Sequence, residues 1–328
     1  MDYDDKGKAG EEMDIEKIQN VSKNIIDNVS KVIIGRQEIV EFILAGILAG
    51  GHILIEDKPG TGKTMLAKSL SKSISGEFKR VQFTPDLMPS DITGLNIYNK
   101  KTSDFELVKG PVFTNIFLAD EINRATPRTQ SSLLEAMEEK QVSIDGQTLM
   151  LNKPFICIAT ENPMETIGTY PLPEAQLDRF IIKIDMGETT KKDELEIIDR
   201  YVLDNPIDNI EPVCTTQDIV CLQEEIKKIM VSDVVRQYIV DVVFETRQSN
   251  KLLVGASTRA TLALLKMSQA YAAIKGKKYV EPDHVKSVAP YVLGHRVKVV
   301  NAMNSGSSKK IVEEIIGACP VPVEDWEK

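Results

Sequence analysis

The chain has no excess of basic residues and no uninterrupted apolar run, and each absence argues against a class of protein. Its 328 residues include 40 Lys and Arg against 49 Asp and Glu, a net charge of −9. Direct nucleic-acid binding is therefore not expected, because it normally needs a basic surface. The longest apolar stretch, residues 39–56, is interrupted by Glu41, His52 and three glycines. We expect a buried helix followed by a strand there, and no membrane insertion.

The cysteines and the N-terminal residues indicate a location in the reducing interior of a cell. The chain has four cysteines, Cys157, Cys214, Cys221 and Cys319. Their spacings match no zinc motif, so we interpret them as reduced thiols. Residues 1–20 lack the apolar segment of a signal peptide, which predicts a cytoplasmic protein. Residues 1–13 contain few apolar residues and are expected to be a disordered tail, or in part a remnant of cloning.

Short apolar runs alternate with helical patterns over residues 14–187. Five of these runs are strand candidates: 52–56, 80–84, 115–120, 155–160 and 180–185. Such alternation predicts an α/β domain, with a parallel sheet and helices on both of its faces. Helical patterns alone follow, which predicts a connection over residues 188–207 and an all-helical domain over residues 208–328.

Two segments of the first domain alternate polar and apolar residues in the way that hairpins do. Residues 141–151 alternate around Asp145 and Gly146, a dipeptide that favours a two-residue hairpin turn. Residues 95–110 have the pattern of a second hairpin with a longer loop. We therefore predict two hairpin inserts in an otherwise parallel domain.

A phosphate-binding loop follows the first strand candidate and opens a helical pattern. The predicted nucleotide-binding residues of this segment are Pro59, Gly60, Thr61, Gly62, Lys63, Thr64 and Met65. Glycines let backbone N–H groups turn towards phosphates, and the start of the next helix adds a partial positive charge. We expect Lys63 to neutralise phosphate oxygens and Thr64 to ligate Mg²⁺.

Asp57 occupies the first position of this loop, where the general motif has glycine. Aspartate tolerates a left-handed backbone better than most residues, so a left-handed or strained turn is expected at Asp57. We expect its carboxylate to point away from the phosphates and to accept from nearby backbone N–H groups.

The loop alone is compatible with a guanine-nucleotide switch or with an ATPase. A switch would use Asp-x-x-Gly at residues 91–94 and Thr-Lys-x-Asp at residues 190–193, although Thr190 could equally cap a helix. An ATPase would use Asp120 and Glu121, which end an apolar strand candidate. The first acid can hold the Mg²⁺ shell, and the second can polarise an attacking water. This pair is the stronger signal of the two.

Longer motifs resemble those of the MoxR family of AAA+ ATPases. They are VQFTPDLMPSDITG, LADEINRATPRTQSSLLEAMEE, GTYPLPEAQLDRF and GASTRA. The resemblance covers residues 14–325 and implies a P-loop NTPase core of the AAA+ type with a C-terminal helical lid. The loop of that family commonly begins with Glu-Asp, so Asp57 is ordinary there.

The resemblance implies a role for each polar position at the strand ends. Lys63 and Thr64 would bind phosphate and Mg²⁺, and Asp120 would belong to the Mg²⁺ shell, partly through water. Glu121 would act on the hydrolytic water. Asn162 would be the first sensor, and its place after a strand independently puts it near the γ-phosphate or that water.

The resemblance also implies an adenine site and an arginine supplied by a neighbouring subunit. Adenine would lie against Ile33, Ile34 and Gly35. Arg179 resembles an arginine finger, which can be worth ~10³-fold or more in rate, and Arg128 is a weaker candidate. A finger acting between subunits implies a ring, and a hexamer is expected.

Arg259 would be the second sensor, on the helical lid. If Ser257 caps the helix, Arg259 lies in the first turn, where the helix dipole disfavours a cation. A bound phosphate would explain that placement. The sequence alone does not decide whether Arg259 acts on its own nucleotide or on a neighbour's.

The activity implied is ATP hydrolysis that drives chaperone-like remodelling or maturation of a client protein. Expected partners are further copies of the chain and a client or adaptor, such as a protein with a von Willebrand factor A domain. A nucleic-acid or chelatase-type AAA+ motor is one alternative, which the acidic charge disfavours. A guanine-nucleotide switch is another. A scaffold that binds ATP without turnover is disfavoured by Glu121 and Arg179.

Overall fold

The computed structural model of the chain describes residues 14–58, 60–163, 168–300 and 306–322. The predicted tail over residues 1–13 and Pro59 of the phosphate loop lie outside the described residues. The helices are α1 (Ile15–Ser30), α2 (Gln37–Leu48), α3 (Lys63–Ser73), α4 (Pro89–Thr93), α5 (Pro127–Glu139), α6 (Glu174–Leu177), α7 (Lys191–Leu203), α8 (Thr216–Ile226), α9 (Asp233–Gln248), α10 (Thr258–Ile274), α11 (Pro282–Leu293) and α12 (Gly306–Ala318). The strands are β1 (His52–Glu56), β2 (Phe78–Gln82), β3 (Gly94–Asn99), β4 (Asp104–Lys109), β5 (Ile116–Asp120), β6 (Gln141–Ile144), β7 (Gln147–Met150), β8 (Ile156–Glu161), β9 (Phe180–Ile184), β10 (Leu252–Val254) and β11 (Lys298–Val299).

Five strands form the central sheet, in the order β2-β5-β8-β1-β9. Every pairing within it is parallel. The five strand predictions are confirmed, with β2 lying two residues earlier than expected. Because the strands are parallel, their carboxyl ends meet at one edge of the sheet. The phosphate loop follows β1 at that edge, and Asp120 ends β5 there.

Hydrophobic cores lie on both faces of the sheet. Neighbouring residues of β5 point to opposite faces, so Leu118 belongs to a core with α1, α2 and α3, while Phe117 belongs to a core with α5. The apolar stretch over residues 39–56 forms most of α2 and then β1, as predicted. Within the described residues, no helix combines the length and the hydropathy needed to cross a membrane.

Two antiparallel hairpins project from the parallel domain. β6 pairs with β7 across Asp145 and Gly146, whose φ angles are 47° and 81°. Positive φ at both central residues is what a type I′ hairpin turn requires. β3 pairs with β4 through the longer loop, and the rings of Tyr98 and Phe105 meet edge to face on an exposed surface.

The C-terminal helices pack directly on the parallel domain. Phe42 of α2 lies 5.2 Å from Tyr271 of α10 and 4.6 Å from Tyr291 of α11, measured between ring centroids. This contact extends the core of α1, α2 and α3 into the helical region. Helices dominate as predicted, but β10 and β11 form a small antiparallel sheet. The strands have three and two residues, too few for a periodic pattern. The domain limits stay a prediction.

Candidate nucleotide site

The phosphate loop has the backbone that its glycines permit. Gly60 and Gly62 have φ angles of 85° and 91°, in the left-handed region. Gly62 is also the N-cap of α3, so the loop leads directly into the start of a helix. Backbone N–H groups at such a start favour anions. The sequence therefore encodes a cradle suited to phosphate groups.

Lys63 lies between this loop and the acids at the strand ends. Its Nζ donates to the carbonyl oxygens of Asp57 at 2.8 Å and Lys58 at 3.0 Å. Burial lowers the pKa of Lys63, while the carboxylates of Asp57, Asp120 and Glu121 oppose that shift. The ammonium group thus sits in the field of the predicted catalytic acids.

Asp57 keeps its carboxylate on the backbone, but not through a left-handed turn. Its Oδ1 accepts from the Lys58 N–H at 2.7 Å, as expected. Asp57 is absent from the described residues with positive φ, so the expected left-handed turn is wrong. The reason is that the Asp57 N–H donates to the carbonyl of Glu161 at 3.0 Å, which continues the pairing of β1 with β8. The left-handed positions fall later, at Gly60 and Gly62.

Asp120 and Glu121 are fixed by one hydroxyl group. The Thr160 hydroxyl donates to Asp120 Oδ1 at 2.7 Å and accepts from the Glu121 N–H at 2.8 Å. Thr160 is fully buried at the end of β8. Glu121 has a φ of 56°, a left-handed conformation that a non-glycine residue adopts at a cost. The strained backbone turns Glu121 out of the strand direction that Asp120 follows.

The two carboxylates have different neighbours. Asp120 Oδ2 accepts from Arg80 at 2.6 Å, whereas Glu121 Oε2 lies 2.8 Å from both Gln82 Nε2 and Arg124 Nε. Carboxylate and hydroxyl oxygens are the hard donors that Mg²⁺ prefers. The carboxylate of Asp120 and the hydroxyl of the half-buried Thr64 are donors of this type at the edge of the sheet where the phosphate loop lies.

Asn162 is buried at the end of β8, directly after Glu161. β8 lies between β1, which leads to the phosphate loop, and β5, which ends in Asp120. The strand order thus brings Asn162 to the edge where the sequence placed it. Burial raises the pKa of Glu161 to about 7; Lys183 opposes the shift and Glu56 adds to it.

An open cavity of about 970 Å³ lies beside the phosphate loop. Predicted residues that line it are Ile33, Ile34, Gly60, Thr61, Gly62 and Met65. Gly35 adjoins this wall with a φ of 71°. Ile197 and Tyr201 of α7 form part of the lining, and the sequence analysis missed them. Their spacing of four residues on an amphipathic helix was the available signal.

Arg36 ties the phosphate loop to the segment that follows β9. Its Nη1 donates to the carbonyl of Thr61 at 2.7 Å, and its Nη2 donates to the carbonyl of Gly187 at 2.9 Å. The side chain is buried, with 8% of the residue exposed. A buried arginine that binds two backbone carbonyls fixes the distance between these segments. No motif in the sequence indicated this contact.

Arg179 and Arg259 lie together, apart from this cavity. Each contacts Glu138 at 3.1 Å. They line a second cavity of about 390 Å³ that also includes His52 at the start of β1. The start of a strand is at the opposite edge of a parallel sheet from the phosphate loop. Neither arginine is among the described residues that line the first cavity. Arg128 is exposed in the first turn of α5.

The motifs of the guanine-nucleotide alternative serve as helix caps. Asp91 accepts from the N–H of Met88 at 2.8 Å and caps α4. Thr190 accepts from the Asp193 N–H at 3.2 Å and caps α7, as one interpretation of that segment proposed. Ser257 caps α10 in the same way, which places Arg259 in the first turn. Structural roles therefore account for both short motifs.

Comparisons with known families agree with this geometry. Residues 52–182 match the ATPase family associated with various cellular activities (AAA), and residues 244–315 match the AAA lid domain. The chain is accordingly an AAA+ ATPase in fold, with a nucleotide-binding core and a helical lid.

Individual relatives define the family more closely. The chain is 47% identical over 301 residues to protein YeaC of Bacillus subtilis, covering 91% of this chain and 94% of YeaC. It is 41% identical over 297 residues to chaperone MoxR1 of Mycobacterium tuberculosis, covering 88% of this chain and 78% of MoxR1. A crystal structure of a candidate ATPase from Cytophaga hutchinsonii is similar with a TM-score of 0.87 and 39% identity, covering 94% and 97% of the two chains. The chain belongs to the MoxR family of AAA+ ATPases.

Proposed function

We propose that the chain binds ATP with Mg²⁺ at the carboxyl edge of the sheet and hydrolyses it there. The observation that carries this proposal is the Thr160 hydroxyl, which fixes Asp120 and Glu121 beside Lys63. The adenine would lie in the cavity walled by Ile33 and Ile34, and the phosphates in the loop that ends at Thr64.

Each residue at this edge of the sheet has a different chemical role. Lys63 would balance negative charge on the phosphates, and Thr64 and Asp120 would hold the metal ion. Mg²⁺ supplies further neutralisation of that charge when it is bound. Glu121 takes the proton of the attacking water as general base. Asn162, buried at the end of β8 between β1 and β5, orients that water or the γ-phosphate.

Hydrolysis is proposed to take place between subunits of a ring, with a hexamer as the expected form. Support comes from Arg179 and Arg259, which lie away from the cavity of their own chain. In this proposal both act on a nucleotide bound by a neighbouring copy. Arg179 is the finger in this proposal and Arg259 the second sensor, acting in trans. Arg128, in the first turn of α5, remains the second candidate for the finger.

The energy of hydrolysis is proposed to drive remodelling or maturation of a client protein. Support comes from the relative named chaperone MoxR1. A client or adaptor with a von Willebrand factor A domain, and a cytoplasmic location, stay predictions. A nucleic-acid or chelatase-type motor stays an alternative that the net charge of −9 disfavours. A guanine-nucleotide switch is disfavoured further, because its motifs cap α4 and α7.

Three variants test the proposal, with ATP binding measured by titration and ATP hydrolysis by a steady-state assay. Lys63→Ala should lose nucleotide binding, and Glu121→Gln should bind ATP without hydrolysing it. Arg179→Ala should be inactive alone. Mixing Arg179→Ala with Lys63→Ala subunits should restore part of the activity, because each supplies what the other lacks. Normal turnover by Glu121→Gln would refute the assignment of the base, and preferential hydrolysis of GTP would favour the switch.

A further inference from the structure

One carboxylate joins the two arginines that the proposed function assigns to the subunit interface. Glu138 lies near the C-terminal end of α5. Its Oε2 is 3.1 Å from Arg179 Nε, and its Oε1 is 3.1 Å from Arg259 Nη2. Arg179 belongs to the segment before β9, whereas Arg259 belongs to the lid helix α10. Glu138 therefore contacts one arginine of the parallel domain and one arginine of the lid.

The geometry leaves the outer edges of both guanidinium groups available. Arg179 comes closest to Glu138 at Nε, and its two terminal nitrogens make no hydrogen bond within the described residues, so they can meet another anion. Arg259 uses Nη2 for Glu138, and its Nη1 lies 3.9 Å from Asp178 Oδ2. Arginine binds planar anions through pairs of N–H groups.

Asp178 supports the same arrangement from the other side. Its Oδ1 lies 2.6 Å from Arg296 Nε, whose side chain is almost fully buried. Its Oδ2 accepts from the Ser257 hydroxyl at 3.3 Å, next to the first turn of α10. The segment carrying Arg179 is thus tied to the lid at a second point, and Glu138 completes the link at the exposed end.

Local helix electrostatics argue that this contact has a role beyond helix stability. Glu138 lies at the negative end of the α5 dipole, and Arg259 lies at the positive end of the α10 dipole. Each charge is unfavourable in its own helix. The contact between the two residues, with Arg179 and Asp178 beside them, offsets that cost. Partly exposed ion pairs contribute little to stability, so stability alone gives no strong reason for placing both residues there.

We propose that Glu138 is a positioning residue that holds Arg179 and Arg259 side by side, so that they meet the nucleotide of a neighbouring copy as a pair. The inference rests on the proposed function. Replacing one carboxylate oxygen by an amide leaves an acceptor for one guanidinium and turns N–H donors towards the other. The pair should then separate, although both arginines remain.

Glu138→Gln is the test, and Glu139→Gln is its matched control. Glu139 is the next residue of α5, is exposed, and has no ion pair among the described residues. In assembled protein, Glu138→Gln should lower kcat of ATP hydrolysis about tenfold to a hundredfold, since small misplacements of catalytic groups have such effects. Its affinity for ATP, measured by titration, should change far less than kcat, because the phosphate loop and the cavity beside it are unaltered. Glu139→Gln should match the wild type in both.

Two further measurements separate positioning from a general structural defect. Glu138→Gln mixed with Lys63→Ala subunits should regain activity, because the latter carry an intact arginine pair. Added to an Arg259→Ala variant, Glu138→Gln should lower kcat by a smaller factor than it does in the wild type, because one of its two partners is already missing. If Glu138→Gln turned over at the wild-type rate or faster while Arg179→Ala was inactive, the role of Glu138 would be refuted and the proposed function would stand. Full activity of Arg179→Ala would instead overturn the finger assignment in the proposed function.

Discussion

The Thr160 hydroxyl group offers a sharp test of how the catalytic acids are held. Thr160→Val keeps the shape of the side chain but removes the donor to Asp120 and the acceptor for the Glu121 N–H. A hydrogen bond to a charged group contributes about 1.5–3 kcal/mol and a neutral one about 1 kcal/mol. Thr160 is fully buried and both bonds are partly buried, so the free energy of unfolding should fall by about 3 kcal/mol.

The same change should affect turnover more than nucleotide binding. Without its partner, the left-handed backbone of Glu121 has less to hold it, and the carboxylate should leave the position of the general base. We expect kcat to fall about a hundredfold, while the affinity for ATP changes little. Urea denaturation and a steady-state ATPase assay measure the two effects.

Thr160→Ser and Thr148→Val are the controls for this prediction. Serine keeps the hydroxyl group and should restore most of kcat, with a modest loss of stability for the missing methyl group. Thr148 is exposed on β7, so removing its hydroxyl should change neither quantity. If Thr160→Val unfolded and turned over like the wild type, the proposed role of the hydroxyl in fixing the acids would be refuted.

Two further predictions concern the phosphate loop and the half-buried Glu161. Arg36→Ala should weaken ATP binding about tenfold or more, because the bonds to Thr61 and Gly187 would be lost; a titration with ATP measures this, and unchanged affinity would contradict it. Glu161 has a pKa raised to about 7, chiefly by burial, so the folded state favours its protonated form. Its contribution to stability should be complete below the unfolded pKa near 4.5 and should decline towards pH 7, by at most about 1.4 kcal/mol per pH unit. Glu161→Gln should flatten this part of the pH profile in thermal unfolding, and an unaltered slope would contradict the assignment.

The sequence predicted the elements whose signal is local. Apolar runs located all five strands of the parallel sheet, and Asp145-Gly146 located a hairpin turn. The phosphate loop and the Asp120–Glu121 pair were equally visible, because each combines a short motif with a strand end. The left-handed conformation expected at Asp57 was wrong because pairing with β8 decides that backbone, and β8 lies about a hundred residues away.

The supporting residues of the site could not be found in this way. Thr160 contacts Asp120 across 40 residues of sequence, and Glu138 contacts Arg259 across 121 residues. Contacts between residues so far apart in the chain depend on strand order and helix packing, which local sequence patterns do not predict. Ile197 and Tyr201 were assigned to a connection. Their spacing indicates one face of an amphipathic helix, but it does not indicate that this face turns towards the cavity.

The packing of Phe42 between Tyr271 and Tyr291 has a mechanical consequence. An apolar interior is close-packed and transmits strain instead of absorbing it, and a large apolar contact suppresses the relative motion that is otherwise expected of two domains. The lid and the sheet should therefore respond to a force as one stiff body. In an assembly of such chains, conformational change would take place at the interfaces between chains and not between the lid and the sheet of one chain.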